Sequence, residues 1–257
     1  MNVLIHSWFL TARLLRHLMR QPWYMAFTLA QPIVWMLLYG QLFRNVAMLP
    51  GFNGSSYITF LMPGIIVMSA LMSAGWTGLG VIADLDSGIV DRFLVSPVSR
   101  PAIVFARLII LAINILLQCA ILSGLGLILG ARYSREIGGF LTLFCVAILI
   151  GVFFGGLSSA LALSVRKQES VVGAMNFILL PVIFLSGTLM TTSLIPKWMQ
   201  KAVLINPVNW ADDAARGALQ ANVPWPGVIV RLVALMGLAV LSCWLATNAF
   251  RSYQRSA

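Results

Sequence analysis

The sequence predicts an all-α integral membrane protein with six transmembrane helices. Of its 257 residues, 60% are hydrophobic and only 9% are charged, which is more apolar surface than one soluble core of this size can hide. The charged residues stand in small groups between long stretches that carry no charge. A helix needs about 20 apolar residues to cross about 30 Å of hydrocarbon. A lipid bilayer is therefore the expected solvent for most of the chain.

The charge-free stretches define the six predicted spans. They are residues 21–43, 57–82, 108–131, 137–165, 170–190 and 232–250. An even number of spans leaves both termini on one side of the membrane. With the N-terminus inside, ten Arg and Lys residues fall on the inner side and seven on the outer side. This excess predicts that the N- and C-termini are cytoplasmic.

The first 21 residues are predicted to form a helix that lies flat in the headgroup region. On a helix, one narrow polar stripe faces away from the apolar residues around Trp8 and Leu15, as in interfacial amphipathic helices. The stripe contains His6, Arg13, Arg16, His17 and Arg20. The whole chain, residues 1–257, is accordingly interpreted as a single transmembrane domain with this helix at its start.

Several function classes lack their sequence signals. The sequence contains no phosphate-binding GxxxxGK[ST] loop and no zinc-binding HExxH pair. Neither catalytic residues nor metal ligands are therefore predicted. The basic residues are too scattered for a nucleic-acid surface. Ionisable groups are absent from the cores of the predicted spans, whereas ion-coupled carriers usually keep them there. The polar residues inside the spans are expected to serve helix packing; they are Gln31, Asn114, Gln118, Ser158, Ser159 and Asn176.

A polar stretch, ADLDSGIVDRFLVSPVSRP, separates the second and third predicted spans. We expect a short cytoplasmic helix over residues 83–97, with Asp84 and Asp86 in its N-terminal turn, where the helix dipole favours acidic side chains. Its apolar face contains Ile89, Val90, Phe93 and Leu94. Such a helix can insert into a groove on a partner. The alternative is an ordinary connection that lies on the membrane surface.

The outer segment between the fifth and sixth spans, residues 191–222, is too long for a simple turn. Trp198 and Trp210 lie within it and Trp225 follows it, and tryptophan prefers the membrane interface. We expect two short helices, separated at Asn206 and Pro207, that dip into the outer leaflet and re-emerge. The alternative is a plain interfacial loop.

Three motifs carry a family resemblance. They are FLMPG at residues 60–64, DLDSGIVDRFLVSPVSRPAIVFAR at 84–107 and NPVNWADDAAR at 206–216. In this order, spacing and six-span frame, the chain resembles over its whole length the permease subunits of type-2 ABC exporters, particularly the daunorubicin-exporter type. The resemblance implies that residues 83–97 form the coupling helix, which docks on a separate cytoplasmic ATP-binding subunit.

The resemblance also implies an assembly and a location. Two permeases, either two copies of this chain or this chain and a paralogue, pair with two ATP-binding subunits in a bacterial plasma (inner) membrane. No cofactor is expected on this chain, since ATP and Mg²⁺ bind the partner subunit. Membrane lipids surround the complex. The pathway for cargo is expected between the two permeases.

Candidate residues follow for three roles. The ATPase-coupling residues are Asp84, Asp86, Gly88, Ile89, Asp91, Arg92, Phe93, Leu94 and Pro97. The substrate-pathway residues are Trp35, Tyr39, Met68, Met72, Trp76, Phe177 and Phe184; the alternative is that they face lipid or pack between helices. The outer-motif residues are Asn206, Pro207 and Arg216.

The expected function is ATP-driven export of a hydrophobic or amphipathic compound, such as a drug-like natural product or a lipid. Two alternatives stay open from the sequence. One is export of a polysaccharide or lipid-linked glycan, which should show aromatic residues along a continuous polar groove. The other is a scaffold or sensor subunit that binds the same partner without transporting anything.

Overall fold

A computed structural model describes residues 11–12, 15–16, 20, 22–45, 56–88, 100–133, 137–189 and 195–256. Within these ranges the chain forms α-helices and no β-strand, which confirms the all-α prediction. The helices are α1 (Pro22–Leu42), α2 (Tyr57–Gly75), α3 (Thr77–Asp86), α4 (Arg100–Ile128), α5 (Ile137–Val165), α6 (Gln168–Phe184), α7 (Lys197–Ile205), α8 (Pro207–Ala218) and α9 (Trp225–Ser256). Most of the predicted flat helix over residues 1–21 lies outside the described residues.

Membrane-spanning length is reached by five helical segments of the described chain. They are Met25–Leu42, Tyr57–Asp86 (α2 continued by α3), Val104–Ile128, Ile137–Val165 and Trp225–Ser252. The predicted fifth span corresponds to α6, an apolar helix of 17 residues, or about 25 Å at 1.5 Å per residue. It is shorter than expected because the chain leaves the helix after Phe184. The chain is therefore an integral membrane protein.

The central helix is α5, which packs against α2, α3, α4, α8 and α9. Glycines allow this close packing. A Cβ atom at Gly151 would overlap Ile115 of α4, and one at Gly155 would overlap Leu111 of the same helix. The sequence GVFFG, residues 151–155, predicts such a helix contact of the GxxxG kind, and the structure confirms it.

The end of the second span differs from the prediction. Asp84 and Asp86 were expected in the first turn of a new helix, but they lie in the last turn of α3, so this part of the prediction is wrong. The apolar helix continues past Ile82 because Arg107 of α4 forms an ion pair with Asp84. This pairing offsets the unfavourable position of a carboxylate near a helix C-terminus. Gly88, whose φ is +65°, lies at the end of this described segment, and residues 89–97 of the predicted coupling helix lie outside the described residues.

Candidate functional site

A cavity of about 300 Å³ lies between α1 and α2. Its lining is mostly apolar and none of the lining side chains is ionisable. The lining residues are Phe27, Thr28, Gln31, Pro32, Trp35, Ile65, Met68, Ser69, Met72, Ser73 and Trp76. The volume is at the lower end of the range for drug-sized ligands. This arrangement can hold an apolar molecule and offers it a few hydroxyl and amide groups.

The polar part of the cavity wall is held by Gln118 of α4. The Ser69 hydroxyl donates to Gln118 Oε1 at 2.7 Å, and Gln118 Nε2 donates to Ser73 Oγ at 2.8 Å. Gln118 and Ser69 are buried. These bonds fix the orientation of the Ser69 and Ser73 hydroxyls from the side of α4. They also pair the buried amide of Gln118, which would be unfavourable if left without partners. The sequence assigned Gln118 to helix packing and did not connect it with the predicted pathway.

The structure brings four predicted pathway residues into the lining of this cavity, namely Trp35, Met68, Met72 and Trp76. Tyr39 lies one turn further along α1. Two others lie elsewhere: Phe177 and Phe184 are on α6, where their side chains are 81% and 66% exposed, and they do not line the cavity.

A row of aromatic rings continues from the cavity towards the other end of α1. Successive ring centres from Trp35 to Tyr39, Phe43 and Tyr57 are 5.6 to 5.7 Å apart. Phe60 follows Tyr57 at 6.2 Å. These spacings are those of interacting aromatic pairs. The row links the cavity to the start of α2.

The second span is interrupted beside the cavity, where α2 ends at Gly75 and α3 begins at Thr77. Ser158 of α5 spans the interruption. Its hydroxyl donates to the carbonyl oxygen of Gly75 at 2.6 Å and accepts from the amide of Gly78 at 3.0 Å. Helix ends leave such groups without intrahelical partners, so Ser158 caps both helices at once. Its sequence context, a serine in an apolar helix, carried no signal of this role.

At the end of α3, Arg107 donates hydrogen bonds to Asp84 and to the carbonyl oxygen of Gly80. The side chains of the pair are 13% and 24% exposed. They join the two helices that flank residues 89–99. Of the other predicted coupling residues, Asp86 is exposed and Gly88 ends the described segment. The remaining ones lie outside the described residues; they are Ile89, Asp91, Arg92, Phe93, Leu94 and Pro97.

The outer motif, residues 206–216, forms the N-cap of α8 and all of that helix except its last two residues. The predicted break between two short helices is present, with α7 ending at Ile205 and α8 beginning at Pro207. Asn206 Oδ1 accepts from the amide of Val208 at 2.9 Å, which is a standard N-cap. The Asn206 side-chain amide also donates to the carbonyl oxygens of Val182 and Leu185 at 2.6 and 2.7 Å. Asn206 therefore binds α8 to the end of α6.

The other polar residues on the same face of α8 bind the chain that follows α6. Asn209 Oδ1 accepts from the amide of Gly187 at 3.2 Å. Arg216 donates to the carbonyl oxygens of Gly187 and Thr188, both at 2.8 Å, and to that of Phe60 at 3.2 Å. Residues 186–189 leave the α-helix, and the side chains of α8 supply hydrogen-bond partners for their backbone.

Asn206, Asn209, Asp212 and Arg216 form the outer cluster, and Asp212 is its most unusual member. One carboxylate oxygen accepts from the Thr188 hydroxyl at 2.6 Å, and the other is buried without a partner among the described residues. Burial raises the pKa of Asp212 from 3.8 to about 7, although Arg216 and Thr188 act in the opposite direction. Asp213 next to it points outward to Arg231, with 3.2 Å between Oδ2 and the guanidinium. The sequence shows the Asp pair but not which member is buried.

The described part of the chain contains no cluster of three or more His, Cys, Asp or Glu side chains that could hold a metal ion. Its chemistry is that of binding: an apolar cavity, a hydroxyl and amide wall, and ion pairs at the helix ends.

Curated relatives are permeases. A daunorubicin resistance ABC transporter permease of Streptomyces coeruleorubidus is 26% identical over 221 residues, which is 86% of this chain and 77% of the relative. A putative transport permease of Cyanophora paradoxa is 28% identical over 211 residues, 80% of this chain and 71% of the relative. A probable doxorubicin resistance permease of Mycobacterium tuberculosis is 24% identical over 210 residues, 82% and 75% of the two chains.

The family itself is shown by a match that covers most of the chain. The profile of the ABC-2 type transporter family matches residues 6–219. The matched region includes the cavity between α1 and α2, the Ser158 interruption and the outer cluster. The chain therefore belongs to the ABC-2 type transporter family and is an integral membrane permease of that family.

Proposed function

We propose that this chain is the permease subunit of an ATP-driven exporter that moves hydrophobic or amphipathic compounds out of the cell. The observation that carries the proposal is the apolar cavity between α1 and α2, bordered by the span that continues into residues 84–107. Cargo in this cavity would contact the same helix that leads to the ATP-binding partner. The second span would thus connect cargo binding with ATP hydrolysis.

The cargo class is supported by the lining. An uncharged cavity with aromatic and thioether side chains favours apolar ligands of variable shape, because Met side chains adapt to irregular surfaces. Ser69 and Ser73 would serve an amphipathic cargo with hydroxyl or carbonyl groups. Relatives named for daunorubicin and doxorubicin resistance support a drug-like natural product. A lipid is the other member of this class.

In the proposed topology α6 is the fifth of six membrane spans, with both termini in the cytoplasm of a bacterial cell and the chain in its plasma membrane. Such a short helix is tolerated where the bilayer thins or flanking residues reach the interface. Helices α7 and α8 would dip into the outer leaflet and re-emerge. Trp198, which is 67% exposed, and Trp225, which is 39% exposed, support this position, because tryptophan is enriched at interfaces.

The energy source is proposed to be a cytoplasmic ATP-binding subunit, which would hold ATP and Mg²⁺; this chain would carry out no hydrolysis of its own. The coupling residues are proposed to lie between Asp84 and Pro97, with Phe93 as the apolar anchor. A second permease, a copy of this chain or a paralogue, would complete the pathway. The exposed aromatic residues Phe177 and Phe184 of α6 remain candidates for the part of the pathway shared with that second subunit.

The test measures daunorubicin uptake into inverted membrane vesicles that contain the permease and its ATP-binding subunit. Quenching of daunorubicin fluorescence reports the uptake. ATP should drive uptake, and daunorubicin should stimulate ATP hydrolysis. Trp35→Ala should raise the half-saturating daunorubicin concentration by about ten-fold, since aromatic anchors dominate such contacts. The matched control is Leu38→Ala on the same helix, because Leu38 is 63% exposed and does not line the cavity.

A second variant tests the coupling segment. Phe93→Ala should weaken co-purification of the ATP-binding subunit and reduce transport while the permease still inserts into the membrane. Unchanged transport and docking would contradict the coupling assignment. A permease that binds the ATP-binding subunit but shows no ATP-dependent uptake of any apolar compound would support the scaffold alternative. Uptake of a lipid-linked glycan alone would support the glycan alternative.

A further inference from the structure

The interruption of the second span lies between two parts of the molecule that must move together if the proposed function is correct. On one side, α2 forms a wall of the cavity through Met68, Met72 and Trp76 at its end. On the other side, α3 ends at Asp86 and leads into residues 89–99. The continuous helices α4 and α5 run past this level. The second span is therefore the one described path between cavity and coupling segment that contains a break.

The N-terminus of α3 has no side-chain cap from its own N-cap residue. Trp76 is the N-cap of α3 and makes no side-chain cap hydrogen bond, and a tryptophan has no oxygen to offer an amide. The partner is instead supplied by α5. The Ser158 hydroxyl can donate once and accept twice, so one side chain satisfies both the last carbonyl of α2 and an early amide of α3.

Glycines bring the neighbouring elements against the break from different directions. A Cβ atom at Gly78 would lie 2.5 Å from the backbone oxygen of Ser158, and one at Gly75 would lie 2.5 Å from Leu179 of α6. A Cβ atom at Gly80 would overlap the guanidinium of Arg107. Glycine thus occupies three of the six positions from 75 to 80, where the backbone is packed closely, and glycine is common where a helix bends.

We propose that residues 75–78 are a hinge in the second span and that Ser158 is its positioning residue. By bonding both helix ends, Ser158 sets the angle between α2, which lines the cavity, and α3, which leads to the segment that would engage the ATP-binding subunit. This inference rests on the function proposed above and adds the element that transmits the motion.

The dimensions suit this role. Helix α3 has 10 residues, so it is about 15 Å long. A rotation of about 10° at the hinge moves the far end of α3 by about 2–3 Å. Hinges are commonly a few residues at the ends of helices. Because Arg107 ties Asp84 to α4, the start of α4 would follow the end of α3 in this motion.

The first experiment measures the amount of daunorubicin transported per ATP hydrolysed by the reconstituted complex. Ser158→Ala leaves the carbonyl of Gly75 and the amide of Gly78 without their shared partner. Unpaired buried groups shift a two-state equilibrium by about five-fold or more. We expect the ratio of daunorubicin to ATP to fall by about five-fold, with membrane insertion and subunit assembly unchanged.

The chain offers a matched control. Ser159 is also buried, with 2% of its surface exposed. Its hydroxyl, however, donates at 2.7 Å to the carbonyl oxygen of Gly155 in its own helix. Ser159→Ala should keep the wild-type ratio. The same ratio in Ser158→Ala as in the wild type would overturn the proposal, and so would an equal loss in Ser159→Ala.

A second pair of variants approaches the hinge from its other side. Gly78→Ala should lower the ratio because the added methyl group meets the backbone of Ser158. Gly124→Ala is the control, since a Cβ atom there meets nothing within 4 Å. A wild-type complex that shows no ATP-dependent transport would refute the proposed function and this inference with it. Normal transport ratios in the wild type and in both hinge variants would refute the hinge alone.

A measurement on the wild-type complex decides the matter without any substitution. Amide hydrogen exchange is compared with and without a non-hydrolysable ATP analogue. We expect exchange at residues 76–80 to change by about five-fold, because that is where α3 would bend away from Ser158. Exchange at residues 61–71 of α2 should be the same in both states. Identical exchange at residues 76–80 would overturn the proposal.

Discussion

The guanidinium carbon of Arg216 lies 3.8 Å from the centre of the Phe60 ring, and Arg216 Nε donates to the carbonyl oxygen of the same residue at 3.2 Å. Phe60 begins the FLMPG motif and Arg216 ends the NPVNWADDAAR motif. Two of the motifs that carry the family resemblance therefore meet in space. Their shared role in the structure is to bind the outer helix α8 to the start of α2.

Replacing Arg216 with Lys should destabilise this contact despite keeping the charge. A lysine has no planar fork, so it cannot bind the carbonyl oxygens of Phe60, Gly187 and Thr188 together. We expect the free energy of unfolding to fall by about 2 kcal/mol. Thermal unfolding in detergent measures the change. Arg251→Lys, at an exposed position of α9, should leave the transition unchanged; an equal stability of both variants would contradict the role of Arg216.

Gly64→Ala should disturb the same contact from the α2 side. A Cβ atom at Gly64 would lie 2.7 Å from the carbonyl oxygen of Thr188 and 2.9 Å from Arg216 Nη2. Because the first of these is a backbone atom, the segment 186–189 must move away from α2, and overpacking of this kind costs about 1–3 kcal/mol. The measurement is again thermal unfolding. Gly173→Ala provides the comparison, since that position has open space around it. Wild-type stability in Gly64→Ala would show that the contact is not tight.

Asp212 should make stability depend on pH. Its pKa in the folded protein, about 7, lies above the ordinary value of 3.8, so between these values the folded chain keeps a proton that the unfolded chain has released. The free energy of unfolding should therefore fall as the pH rises from about 4 to about 7. Asp212→Asn should flatten this part of the profile. A profile that is unchanged by Asp212→Asn would contradict this account.

The sequence was informative where boundaries are set locally. Helix α5 spans 137–165 as predicted, because Glu136 and Arg166 mark its ends. The early end of α6 was not predicted, since residues 185–190 carry no charge and the charge-free stretch resembles a continued span. Their departure from the helix depends on Asn206, Asn209 and Arg216, which are distant along the chain. Tertiary partners override local preference in such places.

The candidate site was likewise predicted only in part from the sequence. Residues of the cavity wall such as Trp35 and Met72 were predicted because large aromatic and thioether side chains in a span are candidates for contact with apolar cargo. Ser158 carried no comparable signal, because its role arises only when α5 packs across the break in the second span. Asp84 was assigned to a helix start because the helix dipole favours acidic side chains there. Its partner in the structure, Arg107, is 23 residues away. Pairings over that distance are not visible in helical periodicity.

The pair of Asp84 and Arg107 provides the last prediction, which concerns transport rather than stability alone. If the pair holds the ends of α3 and α4 together beside the coupling segment, either Asp84→Asn or Arg107→Gln should lower the daunorubicin transported per ATP. The double variant should be no worse than the single ones. The expected coupling between the two residues is about 1 kcal/mol, as for partly exposed ion pairs. Asp213→Asn is the control, since it removes one member of another partly exposed ion pair, with Arg231, that lies outside residues 84–107. Additive losses in the double variant would mean that Asp84 and Arg107 act separately, because a pair that works as one unit can be broken only once.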